Sequence, residues 1–195
     1  MRRALLALIA TVLAVALSAP PWRYLIEQSM VWHMAVQMPL LVLAGWWSMR
    51  ALPRGRAVDW LTPWNRYGLT GFITALVILA YWMLPLAIDR AVVLPQADLF
   101  KLLTLFFAGL LLQHSFACSP LALQLFFVGY LVSMMTWLGS YFITTDLRLC
   151  NAYSLETQVQ TGWGIAAIGI ALGALWVGSV LRLIRKDTVA ASRMS

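Results

Sequence analysis

Residues 121–143, LALQLFFVGYLVSMMTWLGSYFI, contain no charged side chain. A helix needs about 17–25 predominantly apolar residues to cross the hydrocarbon core of a bilayer, and this stretch supplies them. Five further runs approach or meet that length on either side of it: residues 4–18, 25–49, 68–92, 98–116 and 162–183. Between them stand Pro20 with Pro21, Pro53 with Gly55, Pro95, and Ser119 with Pro120, residues that stop helices and open turns. The pattern predicts an all-α, polytopic integral membrane bundle of six transmembrane helices, forming one domain over residues 1–195.

Composition points the same way. The chain has 195 residues, 62% hydrophobic and 11% charged, with a mean hydropathy of +0.82. Soluble domains carry roughly a quarter charged residues, and at this length a water-soluble fold has too little interior for so much apolar surface. The net charge of +7 does not indicate nucleic acid, because the basic residues punctuate apolar runs instead of forming a patch. The two cysteines cannot make a disulfide framework or a four-thiolate zinc site.

The Lys/Arg distribution orients the spans. With the N-terminus in the cytoplasm, Arg2, Arg3, Arg50, Arg54, Arg56, Arg66, Arg182, Arg185, Lys186 and Arg193 fall inside, against Arg23, Arg90, Lys101 and Arg148 outside. Acidic residues divide the other way, with Glu27, Asp89, Asp98, Asp146 and Glu156 outside and Asp59 and Asp187 inside. Trp22 and Tyr24 against Trp46 and Trp47 mark the two interfaces of the second span. Both termini are therefore expected in the cytoplasm, and the membrane is expected to be a bacterial cytoplasmic (inner) one. Arg2, Arg3 and the short run ending Ala16-Leu17-Ser18-Ala19 also fit a cleavable signal peptide. Pro20 and Pro21 would hinder cleavage, and a retained first span is expected. This topology separates Cys118, in an inner turn, from Cys150, in an outer loop. Cys150 reads either as a buried small residue or as a thiol open to a partner or metal.

The second span carries the strongest chemical signal. Met30, Met34 and Met38 are four apart and share a helical face, with His33 and Gln37 beside it and Glu27 one turn outward. Thioethers with one imidazole are a donor set that soft Cu(I) prefers. Met is also common core filler, and an intramembrane histidine can be a structural group satisfied by hydrogen bonds; both readings stand. Met134 and Met135 in the fifth span are a weaker addition, since adjacent residues diverge on a helix and only one could join the site. Haem shared by His33 and His114 is not expected, because their depths differ by roughly 10–15 Å at 1.5 Å per residue. No phosphate loop, Ser–His–Asp set or paired catalytic carboxylates stand out, so no enzyme activity is expected.

Several segments in order resemble the CtaG-like family of membrane proteins associated with copper delivery to cytochrome c oxidase. That family shows a His-Met-x-Gln-His-Met helix and then Pro-Leu-Leu-x-Leu-Gly; here His33-Met34-Ala35-Val36-Gln37-Met38 precedes Pro39-Leu40-Leu41-Val42-Leu43-Ala44-Gly45. Trp82-Met83-Leu84-Pro85 through Asp89-Arg90-Ala91 is similar to the family's Trp-His-x-Pro…Tyr-Asp-Ala segment. Residues 103–112 resemble the helix that follows, and Glu156-Thr157-Gln158 before Gly162-Trp163-Gly164 resembles the start of the last one. The likeness covers roughly residues 26–180. Gln37 and Met83 stand where two of the histidines are expected, and residues 99–107 lack a histidine pair. The resemblance implies a protein that assists copper insertion into, or assembly of, a respiratory copper oxidase, with Cu(I) as candidate cofactor near the outer face. The alternative is a non-catalytic accessory subunit packed on a larger respiratory complex. Either way the partners are lipid and other membrane subunits, not nucleic acid.

Overall fold

The computed structural model describes residues 2–19, 22–52 and 61–192. Two expected breaks, Pro20–Pro21 and Pro53–Gly55, lie outside the described residues. The described residues are predominantly helical, with no strand. The helices are α1 (Arg2–Ser18), α2 (Trp22–Glu27), a π-helix (Val31–Gln37), α3 (Met38–Ala51), α4 (Leu69–Trp82), α5 (Pro85–Val93), α6 (Pro95–Cys118), α7 (Leu121–Thr144) and α8 (Leu155–Ser192). Three are long and apolar enough to cross a membrane: α6, α7 and the Leu155–Arg185 part of α8; α4 and α5 together make a fourth if their bent pair is one span. The chain is a helical membrane protein.

Two expected spans are not single α-helices. Residues 25–49 break at Gln28 and Ser29, then run as the π-helix before α3 begins. Pro39, second in α3, has no N–H to give and its ring crowds the carbonyl four residues back. The chain widens there, and the Met38 N–H reaches the His33 carbonyl, five residues away. Residues 68–92 bend by 72° between α4 and α5. Pro85 is the cause: the residue before a proline is pushed out of the helical region, and Leu84 sits at φ −74°, ψ 128°. The 14 residues of α4 reach about 21 Å at 1.5 Å each, and α5 turns aside as a short helix with Ala87, Ile88 and Ala91 buried and Leu86 and Val93 exposed.

Packing follows small residues. α3 and α6 run parallel and in close contact at Gly45 and Gly109, where an added Cβ would overlap the carbonyl oxygens of Phe106 and Val42 respectively. α1 runs antiparallel to α3, with Thr11 Oγ1 3.3 Å from Ser48 Oγ at one end and Gln37 Nε2 3.4 Å from Ser18 Oγ at the other. α4 is antiparallel to α6, Trp82 Nε1 donating to Thr104 Oγ1 at 2.8 Å. α7 and α8 pair antiparallel from Gly139 against Gly162 to Trp176 Nε1, which donates to Gln124 Oε1 at 3.3 Å. Phe72 stacks on Phe127 at 4.3 Å and meets Phe116 edge-on at 5.0 Å, tying α4, α6 and α7 together.

At the Asn65 end of the bundle, that side chain fastens the turn before α4. Its Oδ1 accepts the Gly71 N–H at 2.8 Å, one of the orphan amides of the first helical turn. Its Nδ2 donates to His114 Nδ1 at 3.0 Å and to Ser115 Oγ at 2.9 Å. Gly68 supplies the left-handed turn, φ +77°, that carries the chain from Asn65 into α4. Asn65→Ala removes three buried hydrogen bonds and is expected to cost about 1–3 kcal/mol; thermal unfolding in detergent against the parent measures it.

Candidate functional site

The bundle holds an ionic cluster far from Asn65, built from four elements. α6 supplies Asp98 and Lys101, three apart on one face. α2 supplies Arg23 and Glu27, four apart. The π-helix brings His33 and Gln37, and the loop 145–154 brings Tyr153. Lys101 and His33 are 0% exposed and Gln37 1%, so every charge here needs an internal partner.

Lys101 is the hub. Its Nζ lies 2.7 Å from Asp98 Oδ1, 2.7 Å from His33 Nε2 and 3.4 Å from Gln37 Oε1. An ammonium has three N–H donors and no acceptor, and three acceptors surround it. Arg23 closes the other side, with Nε 2.9 Å from Glu27 Oε1 and Nη1 3.2 Å from Asp98 Oδ2. Two cations and two carboxylates balance to zero, which is how ionised groups survive in a low-dielectric interior.

This arrangement sets the tautomer of His33. Because the Lys101 ammonium can only donate, Nε2 is the acceptor, and a neutral ring then carries its proton on Nδ1. Nδ1 meets Tyr153 Oη at 2.5 Å, the two rings lying edge to face at 6.1 Å. Both ring nitrogens are engaged.

The loop is anchored so that Tyr153 reaches His33. Asp89 of α5 accepts the N–H of Asn151 at 3.0 Å on Oδ2 and of Ala152 at 3.3 Å on Oδ1. Gln158, fully inside, accepts the Leu149 N–H at 2.9 Å and donates to the Leu147 carbonyl at 3.1 Å. Ser154 caps α8, its Oγ accepting the Thr157 N–H at 3.3 Å. Beneath lies Cys150, 1% exposed. Burial, helped by the nearby Asp89 carboxylate, pushes its thiol up to about 12. Burial also pushes the Tyr153 phenol upward, with Glu27 adding to it, so both groups stay protonated at neutral pH.

The sequence-derived candidates fall into place as follows. Met30, Met34, Met38 and Met135 are buried in one apolar core with Trp82, Ile88, Leu105, Cys150 and Tyr153, while Met134 is half-buried. His33 sits beside that core but points its nitrogens at Lys101 and Tyr153. His114 belongs to the separate Asn65 cluster. Cys118 is exposed, and its Sγ donates to the Asn65 carbonyl at 3.3 Å. Among the described residues no group of three or more His, Cys, Asp or Glu side chains could hold a metal ion. The donor set does not fit Cu(I) through His33 as it stands, since an ammonium holds the one ring lone pair.

One sequence expectation needs correcting. Arg23 and Lys101 count as outer flanking charges in the positive-inside tally, yet Lys101 is wholly buried and Arg23 pairs inward with Asp98. The signal was present: Asp98/Lys101 at three and Arg23/Glu27 at four are the spacings that bring opposite charges together on a helix. Comparison of the chain with models of protein families, with curated proteins and with solved structures finds no match.

Proposed function

We propose that this chain is a non-enzymatic membrane protein that supports the assembly of a respiratory copper oxidase as a helical scaffold or accessory subunit, without using His33 to carry metal. One observation carries the choice: the Lys101 ammonium lies 2.7 Å from His33 Nε2, where a bound cation would otherwise sit. Gln37, at a position where the CtaG-like pattern expects histidine, offers the same ammonium a carbonyl oxygen. The scaffold is kept while an internal cation takes the place of an external one. The oxidase itself enters only through the sequence resemblance.

The accompanying topology is six crossings with both termini in the cytoplasm of a bacterial inner membrane. The alternating helix directions and the 72° bend of the third crossing support it. Removing Arg23 and Lys101 from the outer tally leaves only Arg90 and Arg148 there, which sharpens the positive-inside bias. Reporter tags at Ser195 and between Arg54 and Arg56 are expected to report the cytoplasm, and one at Asn151 the opposite side; a cytoplasmic Asn151 overturns the topology.

A second reading keeps copper on thioethers alone, favoured by the gathering of Met30, Met34 and Met38 with Met135 in one buried core. Copper analysis of protein purified under reducing conditions separates the two. The scaffold reading expects content far below one equivalent per chain, unchanged when Met30, Met34 and Met38 are all replaced by Leu. About one equivalent, lost in that triple variant, makes the chain a Cu(I) carrier.

A further inference from the structure

Between α2 and the end of α5 the surface opens into a crevice of about 460 Å³ whose walls include Arg23, Glu27, Gln28, Val92, Val93 and Pro95. One side is charged and the other apolar. It lies where these helices end, beside the exposed Trp22 and Tyr24, the residue types that mark the headgroup level of a membrane. That placement holds whichever face of the membrane it occupies.

The polar wall has unused capacity of both signs. A guanidinium has five N–H donors; Arg23 spends one on Glu27, one on Asp98 and one, at 3.5 Å, on the Ala91 carbonyl. Two N–H remain without a protein acceptor among the described residues. Glu27 uses Oε1 toward Arg23, and its Oε2 has no protein donor among those residues. A pair of guanidinium donors is suited to a phosphate, and a carboxylate oxygen beside it to an ammonium. Val92, Val93 and Pro95 give a hydrocarbon chain a surface of its own.

We propose that this crevice binds a zwitterionic phospholipid with a primary ammonium head, its phosphate on Arg23, its ammonium at Glu27 and its chain along Val92 and Val93. A head of that kind places one negative and one positive group side by side and leaves the balanced cluster behind it neutral. Anionic lipids match only Arg23, and a quaternary ammonium cannot donate a hydrogen bond to Glu27.

The test is lipid retention by the full chain after exchange into mixed vesicles or micelles of equal phosphatidylethanolamine, phosphatidylcholine and phosphatidylglycerol, read by native mass spectrometry. Phosphatidylethanolamine is expected to be retained about fivefold over the other two, the ratio that roughly 1 kcal/mol of charged hydrogen bonding supplies. Val93→Trp, at a side chain 74% exposed, puts an indole into the crevice while leaving both Arg23 and Glu27 in the chain, and is expected to abolish the preference. Glu27→Gln is expected to shift it toward phosphatidylglycerol. Equal retention of the three lipids, or a preference unaltered by Val93→Trp, overturns the proposal. Displacement of the lipid by excess soluble phosphoethanolamine also overturns it, assigning the site to a water-soluble phosphoamine instead.

Discussion

Lys101→Met is expected to destabilise the protein by about 3–5 kcal/mol, the range for removing one member of a buried ion pair. Methionine is near lysine in length and flexible enough to fill the space, so the loss is electrostatic more than steric. It strands the Asp98 carboxylate oxygen 2.7 Å away and takes the donor from His33 Nε2 and from Gln37 Oε1. Adding Asp98→Asn restores charge balance, because Arg23 still has Glu27, and is expected to recover about 1–3 kcal/mol, as coupled neighbours do. Thermal midpoints of parent, single and double variants in one detergent measure both quantities. A single variant as stable as the parent would show that the cluster does not hold the fold. The variant also bears on metal: it frees the His33 lone pair and puts a thioether beside it, a better Cu(I) donor set than the parent's. If the ammonium is what excludes copper, folded Lys101→Met takes up more of it than the parent under reducing conditions.

Asp89→Ala, in a Cys118→Ser background, is expected to raise the alkylation rate of Cys150 at least tenfold, or about 1.4 kcal/mol of local opening. Asp89 receives two consecutive backbone N–H groups of the loop 145–154, and without it the loop is held mainly by Gln158. The thiol reports opening well. Burial, with Asp89 adding to it, pushes the thiol up to about 12 while the loop is closed, so the closed state is a poor nucleophile and reaction passes mainly through the open one. An unchanged rate in Asp89→Ala would remove Asp89 as the clamp and leave Gln158 in that role. Because the same loop carries Tyr153, opening also releases the hydrogen bond to His33, and the Lys101 and Asp89 variants together test whether cluster and loop are coupled.

Hydropathy and run length located the three long helices. The predicted runs 98–116, 121–143 and 162–183 sit inside α6, α7 and α8, because long, predominantly apolar stretches have one stable form in lipid, the helix that satisfies its own backbone. The two departures were written in the chain as prolines. Pro39 and Pro85 each remove a donor and crowd the preceding turn, and what periodicity could not state was how the backbone would absorb them. At Pro39 it widens into a π-helix; at Pro85 it turns by 72°.

The class of protein, the apolar helices and the burial of His33 with the methionine face were therefore determined by the sequence itself, through hydropathy, helical period and the cost of an exposed imidazole in lipid. The partner of His33 was decided only in three dimensions. Lys101 lies 68 residues from it and Tyr153 lies 120, on elements whose rotation and depth depend on the Gly45–Gly109 contact and on the loop held by Asp89. A charge near the end of an apolar run reads the same whether it snorkels to water or turns inward. Which it does depends on whether a neighbouring element presents acceptors at the right depth, as the π-helix presents His33 and Gln37 to Lys101, and that is a property of the packed bundle.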